Sequence, residues 1–175
     1  MPTPEKTSFA AIVAAGRELL ESEGPQGLTM QKVATRVGVR APSLYKHVAN
    51  RAALLDAVAE ATVEDLTDRI TATDGTLPAI ARCYRDFSLA HPEGFRLVIH
   101  SVHAPQPALA RAARPLLDAT RVLVGPEESL DAARFVTAWL TGFIGMELSG
   151  SFRLGGDVEG AFAYGLDAMY RGLAR

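Results

Sequence analysis

The sequence predicts an all-α protein: an N-terminal three-helix domain of helix-turn-helix form, joined by a long helix to a larger helical domain. Three observations point there. Apolar residues recur at intervals of three and four along most of the chain. No strand pattern of any length, no repeat and no low-complexity run interrupts them. Between residues 28 and 51, in LTMQKVATRVGVRAPSLYKHVANR, two short helical patterns meet at Gly38 and carry Lys32, Arg36, Arg40, Lys46 and Arg51 without one carboxylate.

Taken in order, residues 1 to 6 are a loose polar arm with Pro2 and Pro4. Thr7 or Ser8 caps a first helix whose Phe9, Ile12, Val13, Leu19 and Leu20 share a face, and Gly24-Pro25 ends it. Thr29 is the N-cap of a second helix that turns Val33, Ala34 and Val37 inward, and Gly38 makes the tight turn after it. Pro42 suits the first turn of the third helix, where its missing amide hydrogen is no loss. Leu44 and Val48 seat that helix and leave its other side exposed. Asn50 caps a fourth helix with Leu54, Leu55, Val58, Ala61, Thr62 and Leu66 in period, running to about Thr73.

Asp74-Gly75 breaks the pattern, so the border lies near residues 70 to 76: residues 1–50 with the connecting helix to about 73, then residues 74–175. A fifth helix carries Leu77, Ile80, Tyr84, Phe87 and His91, and His91-Pro92-Glu93 starts a sixth with Phe95, Val98, Ile99 and Val102. A seventh, with Leu109, Ala113, Leu116, Leu117 and Leu123, follows Pro105 and Pro107. The eighth, from about Glu127 to Ser149, is apolar on more than one face and must be covered on several sides, with Gly142 and Gly145 allowing close approach. Gly155-Gly156-Asp157 caps the last helix, with Val158, Phe162, Leu166, Met169 and Leu173.

A net charge of −2 excludes a wholly basic coat protein, so any nucleic-acid contact is local. The five cations of residues 28–51 are followed by Asp56, Glu60, Glu64, Asp65 and Asp68 with no base among them. The single Cys83 allows no intramolecular disulfide and suits a reducing cytoplasm. No signal-peptide pattern or membrane-length apolar run occurs, so a soluble cytoplasmic protein is expected. No GxSxG, phosphate loop, HExxH or supported acid pair is found, which argues against an enzyme and calls for no cofactor. His100 and His103 stand three apart without a third ligand nearby, so no metal site is expected.

The run RVGVRAPSLYKHVANRAALLDAVAE resembles the N-terminal domain of the TetR/AcrR family of bacterial repressors. The family's capping Thr, Gly turn, central aromatic and basic start of the next helix correspond here to Thr29, Gly38, Tyr45 and Arg51. More weakly, RDFSLAHPEGFRLV, TGFIGMELSGSF and DVEGAFAYGLDAM resemble a C-terminal ligand-binding domain named for a Trp-His-Gly motif. Thr141 stands before Gly142 where that domain often has His, so no role of that histidine carries over.

The resemblance implies that Arg40, Ala41, Pro42, Ser43, Tyr45, Lys46 and His47 face double-stranded DNA. Their chemistry agrees: Arg40 can reach guanine O6 and N7, and Ala41, Pro42 and the Ser43 methylene can touch a thymine methyl. Tyr45, Lys46 and His47 suit phosphates, which set register. Thr29 and Gln31 add a phosphate and a base contact, and Arg51 with the amides opening the fourth helix forms an anion site. Phe87, His91, Phe95, His100, Trp139, Phe143, Met146 and Glu147 are candidates to line a small-molecule pocket, although such a stripe is usually core. Glu147, in so apolar a segment, must be paired, hydrogen-bonded or protonated.

The expected function is a sequence-specific regulator, a repressor released by an effector, binding a palindromic operator as a homodimer through the last two helices. A helical sensor or carrier without operator binding, and an activator of the same fold, are the alternatives.

Overall fold

A computed structural model describes residues 7–100 and 106–174. The expected arm and His103 lie outside them. Among the described residues there are nine helices and no strand: α1 (Phe9–Gly27), α2 (Met30–Arg36), α3 (Ala41–Leu44), α4 (Arg51–Thr71), α5 (Leu77–Ala90), α6 (Pro92–His100), α7 (Gln106–Val124), α8 (Ser129–Leu148) and α9 (Val158–Leu173).

Local chemistry places the starts of several helices. Ser8 Oγ accepts from the Ala11 amide at 3.2 Å, Thr29 Oγ1 from Lys32 at 3.3 Å and Asn50 Oδ1 from Ala53 at 2.9 Å. Thr76 Oγ1 accepts from Ala79 at 3.3 Å and Asp157 Oδ1 from Glu159 at 3.0 Å. Each such cap contributes about 1 kcal/mol. Regular α1 stops at Gly24, whose φ of +70° breaks the helix before a last turn through Pro25. Gly38 takes φ +74°, a left-handed conformation that reverses the chain after α2 at no steric cost.

The molecule divides into two packing units. The first takes the described residues of Met1–Glu64 and of His91–Ala108, and its core joins Ile12, Leu20, Leu28, Val33, Leu44, Leu54 and Val58. The second takes Asp65–Ala90 and the described residues from 109 onward. Helix α4 contributes to both.

This division differs from the border near residues 70 to 76 that the sequence suggests, because α6 docks on α1. Both Glu21 carboxylate oxygens accept main-chain amides at the α6 amino terminus, from Glu93 at 3.1 Å and Gly94 at 2.8 Å. A negative charge is favourable there, since the first amides of a helix have no partner within it. Gly94 makes the approach possible: a Cβ at that position would lie 3.0 Å from Glu21 Oε1 and 3.2 Å from Thr62 Cγ2.

In the second unit α5 packs on α8 and α9. Val136, Leu140 and Ile144 of α8 are buried, whereas Leu130, Phe135 and Met146 are about half exposed. A Cβ added at Gly142 or Gly145 would meet nothing within 4 Å. The single chain therefore covers one face of α8 and leaves another bare.

Candidate nucleic-acid interface

The charge of the basic stretch is distributed unequally. Lys32 pairs with Glu23, and Arg36 reaches Glu18 through Nε at 2.9 Å and Nη2 at 2.6 Å, so both cations of α2 are held by carboxylates of α1. Arg51 is held as well, but by main chain: its Nε donates to the Leu28 carbonyl at 2.8 Å and its Nη2 to the Pro25 carbonyl. The Arg51 side chain thus ties the α1–α2 corner to the start of α4. The Asn50 side chain already occupies the Ala53 amide there. The Arg51 guanidinium, expected at an anion site with the amides opening α4, is in the free chain part of an internal brace.

Arg40 and Lys46 remain. Neither has a charged partner among the described residues, and both are exposed. They flank α3, a single turn from Ala41 to Leu44 that continues as a tighter turn, with the His47 amide donating to the Leu44 carbonyl at 2.9 Å. Arg40 is its N-cap, with extended backbone and no side-chain cap bond, and Pro42 lies in the first turn. Leu44 and Val48 are buried, which fixes the opposite side outward. There Pro42 is exposed, Tyr45 is 54% exposed, and Ala41, Ser43 and His47 are half-buried. Helix α2 packs on α3, and its Thr29 spends an oxygen lone pair as the cap while its hydroxyl hydrogen stays available. Gln31 is exposed.

The pocket candidates are dispersed. Phe87, Trp139, Phe143, Met146 and Glu147 fall in the second unit, and His91, Phe95 and His100 in the first. The cause is the α6 docking already described. The His100 side chain lies outside the described residues, Phe95 is buried and Met146 is half exposed. Trp139 and Phe143 belong to an aromatic core around Phe162, with ring centroids 5.4 Å from it in each case, and Phe152 closes on Phe143 at 4.9 Å. Phe87 lines a cavity of about 580 Å³ with Arg69, Arg82, Cys83 and Asp86, and burial pushes the Cys83 thiol up from its ordinary pKa. A second cavity of about 410 Å³, lined by Ile70, Arg111, Arg114, Ala119 and Val122 among others, contains none of the sequence candidates.

Glu147 is paired, as its setting demands. Arg85, only 6% exposed, grips it through Nε at 2.9 Å and Nη2 at 2.7 Å, and its Nη1 reaches Glu159. The guanidinium lies 4.6 Å from the Phe162 ring centroid. The Glu147 hydrogen bonds raise the Arg85 pKa against the opposing effect of burial. Sequence reasoning missed Arg85, yet a signal existed: Leu77, Ala81, Arg85 and Ser88 share one face of α5, and all four are buried. Thr141, at the position where the resembled domain often has His, hydrogen-bonds Tyr84.

Among the described residues no three His, Cys, Asp or Glu side chains gather to hold a metal, and no helix is long and apolar enough to cross a membrane. What α3 presents is a turn of small side chains, Ala41, Pro42 and Ser43, between two unpaired cations, chemistry suited to base edges and phosphates.

Residues 12–58 match the model of bacterial regulatory proteins of the tetR family, and residues 77–169 match the Tetracyclin repressor-like C-terminal domain. The chain belongs to the TetR family. Membership places it among regulatory proteins rather than enzymes. The chain is 40% identical over 91 residues to the class A tetracycline repressor protein of Escherichia coli, a match covering 49% of this chain and 42% of that one. It is 27% identical over 142 residues to the transcriptional activator FasR of Mycolicibacterium smegmatis, covering 75% and 65%. A crystal structure of a TetR variant from Acinetobacter baumannii AYE in complex with minocycline superposes with a TM-score of 0.72 at 27% identity, covering 95% of this chain and 96% of that one. The matched stretch spans less than half of the class A repressor's length.

Proposed function

We propose that this TetR-family regulator binds a palindromic DNA operator as a homodimer and is a repressor that a small molecule releases. The observation that carries the DNA contact is the pair of unpaired cations, Arg40 and Lys46, on either side of α3. Arg40 reads a guanine edge, Lys46, Tyr45 and His47 take phosphates, and Ala41, Pro42 and Ser43 meet thymine methyls. Thr29 and Gln31 add contacts from the start of α2. Arg51 acts indirectly, by fixing the corner from which α2 starts.

One turn of recognition helix buries little, so two copies related by a two-fold axis are needed for useful affinity, and the operator repeats that symmetry. The bare face of α8, with Leu130, Phe135 and Met146 beside Gly142 and Gly145, supports an interface in which α8 and α9 meet their copies as a four-helix bundle. An effector that binds better to a dimer with wrongly spaced reading heads shifts the population off DNA. The minocycline complex of the Acinetobacter protein supports a small-molecule effector of some kind. An activator is the second reading, favoured by the similarity to FasR over a larger share of the chain.

Selection of the purified protein against random DNA duplexes tests the proposal. A palindromic winner whose affinity falls steeply with salt is expected. Arg40→Ala should relax base preference, costing about 1–3 kcal/mol on the winner, while Lys46→Ala weakens all sequences alike. No enrichment from folded, dimeric protein at low salt would overturn it in favour of a helical sensor without operator binding.

A further inference from the structure

The two ion pairs between α1 and α2 are placed where they bear on DNA affinity. The exposed residues of α2 are Gln31, Lys32, Thr35 and Arg36, so Lys32 and Arg36 stand one helical turn apart on the face that opens with Gln31, a base contact in the function proposed above. Both are held by α1 carboxylates, Lys32 by Glu23 and Arg36 by Glu18, and all four side chains are about half exposed. Neither carboxylate is needed to satisfy a buried group. The pairs are intramolecular competitors for any phosphate that approaches α2.

We propose that Glu18 and Glu23 set the phosphate affinity of the DNA interface by withholding Arg36 and Lys32 from the DNA backbone. Each cation that reaches a phosphate releases counterions and tightens binding to any sequence. With both withheld, Arg40 and Lys46 carry the contact, and the base edges read from α3 decide whether the protein stays. Phosphates carry no sequence, so freeing Lys32 and Arg36 strengthens binding to operator and random DNA alike and leaves more protein on random sites at a given salt concentration. The inference rests on the DNA-binding function proposed above.

The test uses the full chain and fluorescence anisotropy on a random-sequence duplex and on the selected operator, across a salt series. Glu18→Gln and Glu23→Gln should each tighten binding to both duplexes, and the slope of log affinity against log salt should steepen by about 0.9 for each cation freed, hence by about 1.8 when a dimer gains one in each subunit. Thermal melts of these surface variants confirm that they are folded. Adding Lys32→Ala to Glu23→Gln should erase the gain of the latter. An unchanged salt slope in Glu23→Gln overturns the inference. So does a gain that persists in the Lys32→Ala background, since the carboxylate then acts only by repelling DNA at a distance. If the wild-type chain binds no DNA at any salt concentration, the parent function falls and this inference with it; if it binds and the variants match it, only this inference falls.

Discussion

Arg40 and Arg85 carry the same guanidinium into opposite settings. Arg40 caps a one-turn helix, is exposed and has no charged partner among the described residues. Arg85 is buried, bonded to two carboxylates from α8 and α9, and laid over an aromatic ring. The difference follows from the cost of burying charge: a desolvated cation persists only when its donors are satisfied, and in satisfying them it fixes its neighbours. An exposed, unpaired cation stabilises the chain very little and is left for a partner. One arginine specifies the packing of three helices, and the other stands free for the recognition proposed above.

The largest expected effect breaks this contrast from the buried side. Arg85→Ala leaves Glu147 without its partner in an apolar segment and should destabilise the protein by about 3–5 kcal/mol, read from urea unfolding. A loss below about 1 kcal/mol would mean that water reaches Glu147 and that the pair is a surface one. Arg51→Ala comes next. It removes two charge-assisted bonds to the Leu28 and Pro25 carbonyls and should cost about 2 kcal/mol. A purely phosphate-binding Arg51 would instead leave the melting temperature unchanged.

Arg40→Ala and Lys46→Ala should shift stability by less than about 0.5 kcal/mol while changing DNA binding as described. Loss of stability in either would show a partner that the free chain does not reveal. The smallest effect concerns Cys83. Burial favours its neutral thiol, so at pH 8 less of it is thiolate than in a free cysteine, and iodoacetamide should label it more slowly than glutathione, catching up only as pH rises. Labelling at the free-thiol rate would place Cys83 in open water.

The parts of this molecule legible in the sequence are those decided locally. Ser8, Thr29 and Asn50 announce helix starts because a cap acts within three residues, and Gly38 announces a turn because only its own φ is at stake. The basic character of residues 28–51 was visible, but its division was not. Glu18 and Glu23 neutralise Arg36 and Lys32 from another helix, and Arg51 finds carbonyls 23 and 26 residues away. The same limit hid Arg85. Glu147 declared that it needed a partner, but nothing near it in the chain supplied one.

The α6 docking has a consequence for engineering. By family resemblance α6 belongs to the C-terminal segment, residues 77–169, yet its amino end is capped by Glu21 of α1. A chimera spliced between α4 and α5, with a foreign reading head placed on this C-terminal half, would separate the Gly94 amide from its acceptor unless the incoming α1 offers a carboxylate at the equivalent place. The splice that respects the contacts moves α6 with the reading head, so modularity in this protein follows the packing rather than the order of the chain.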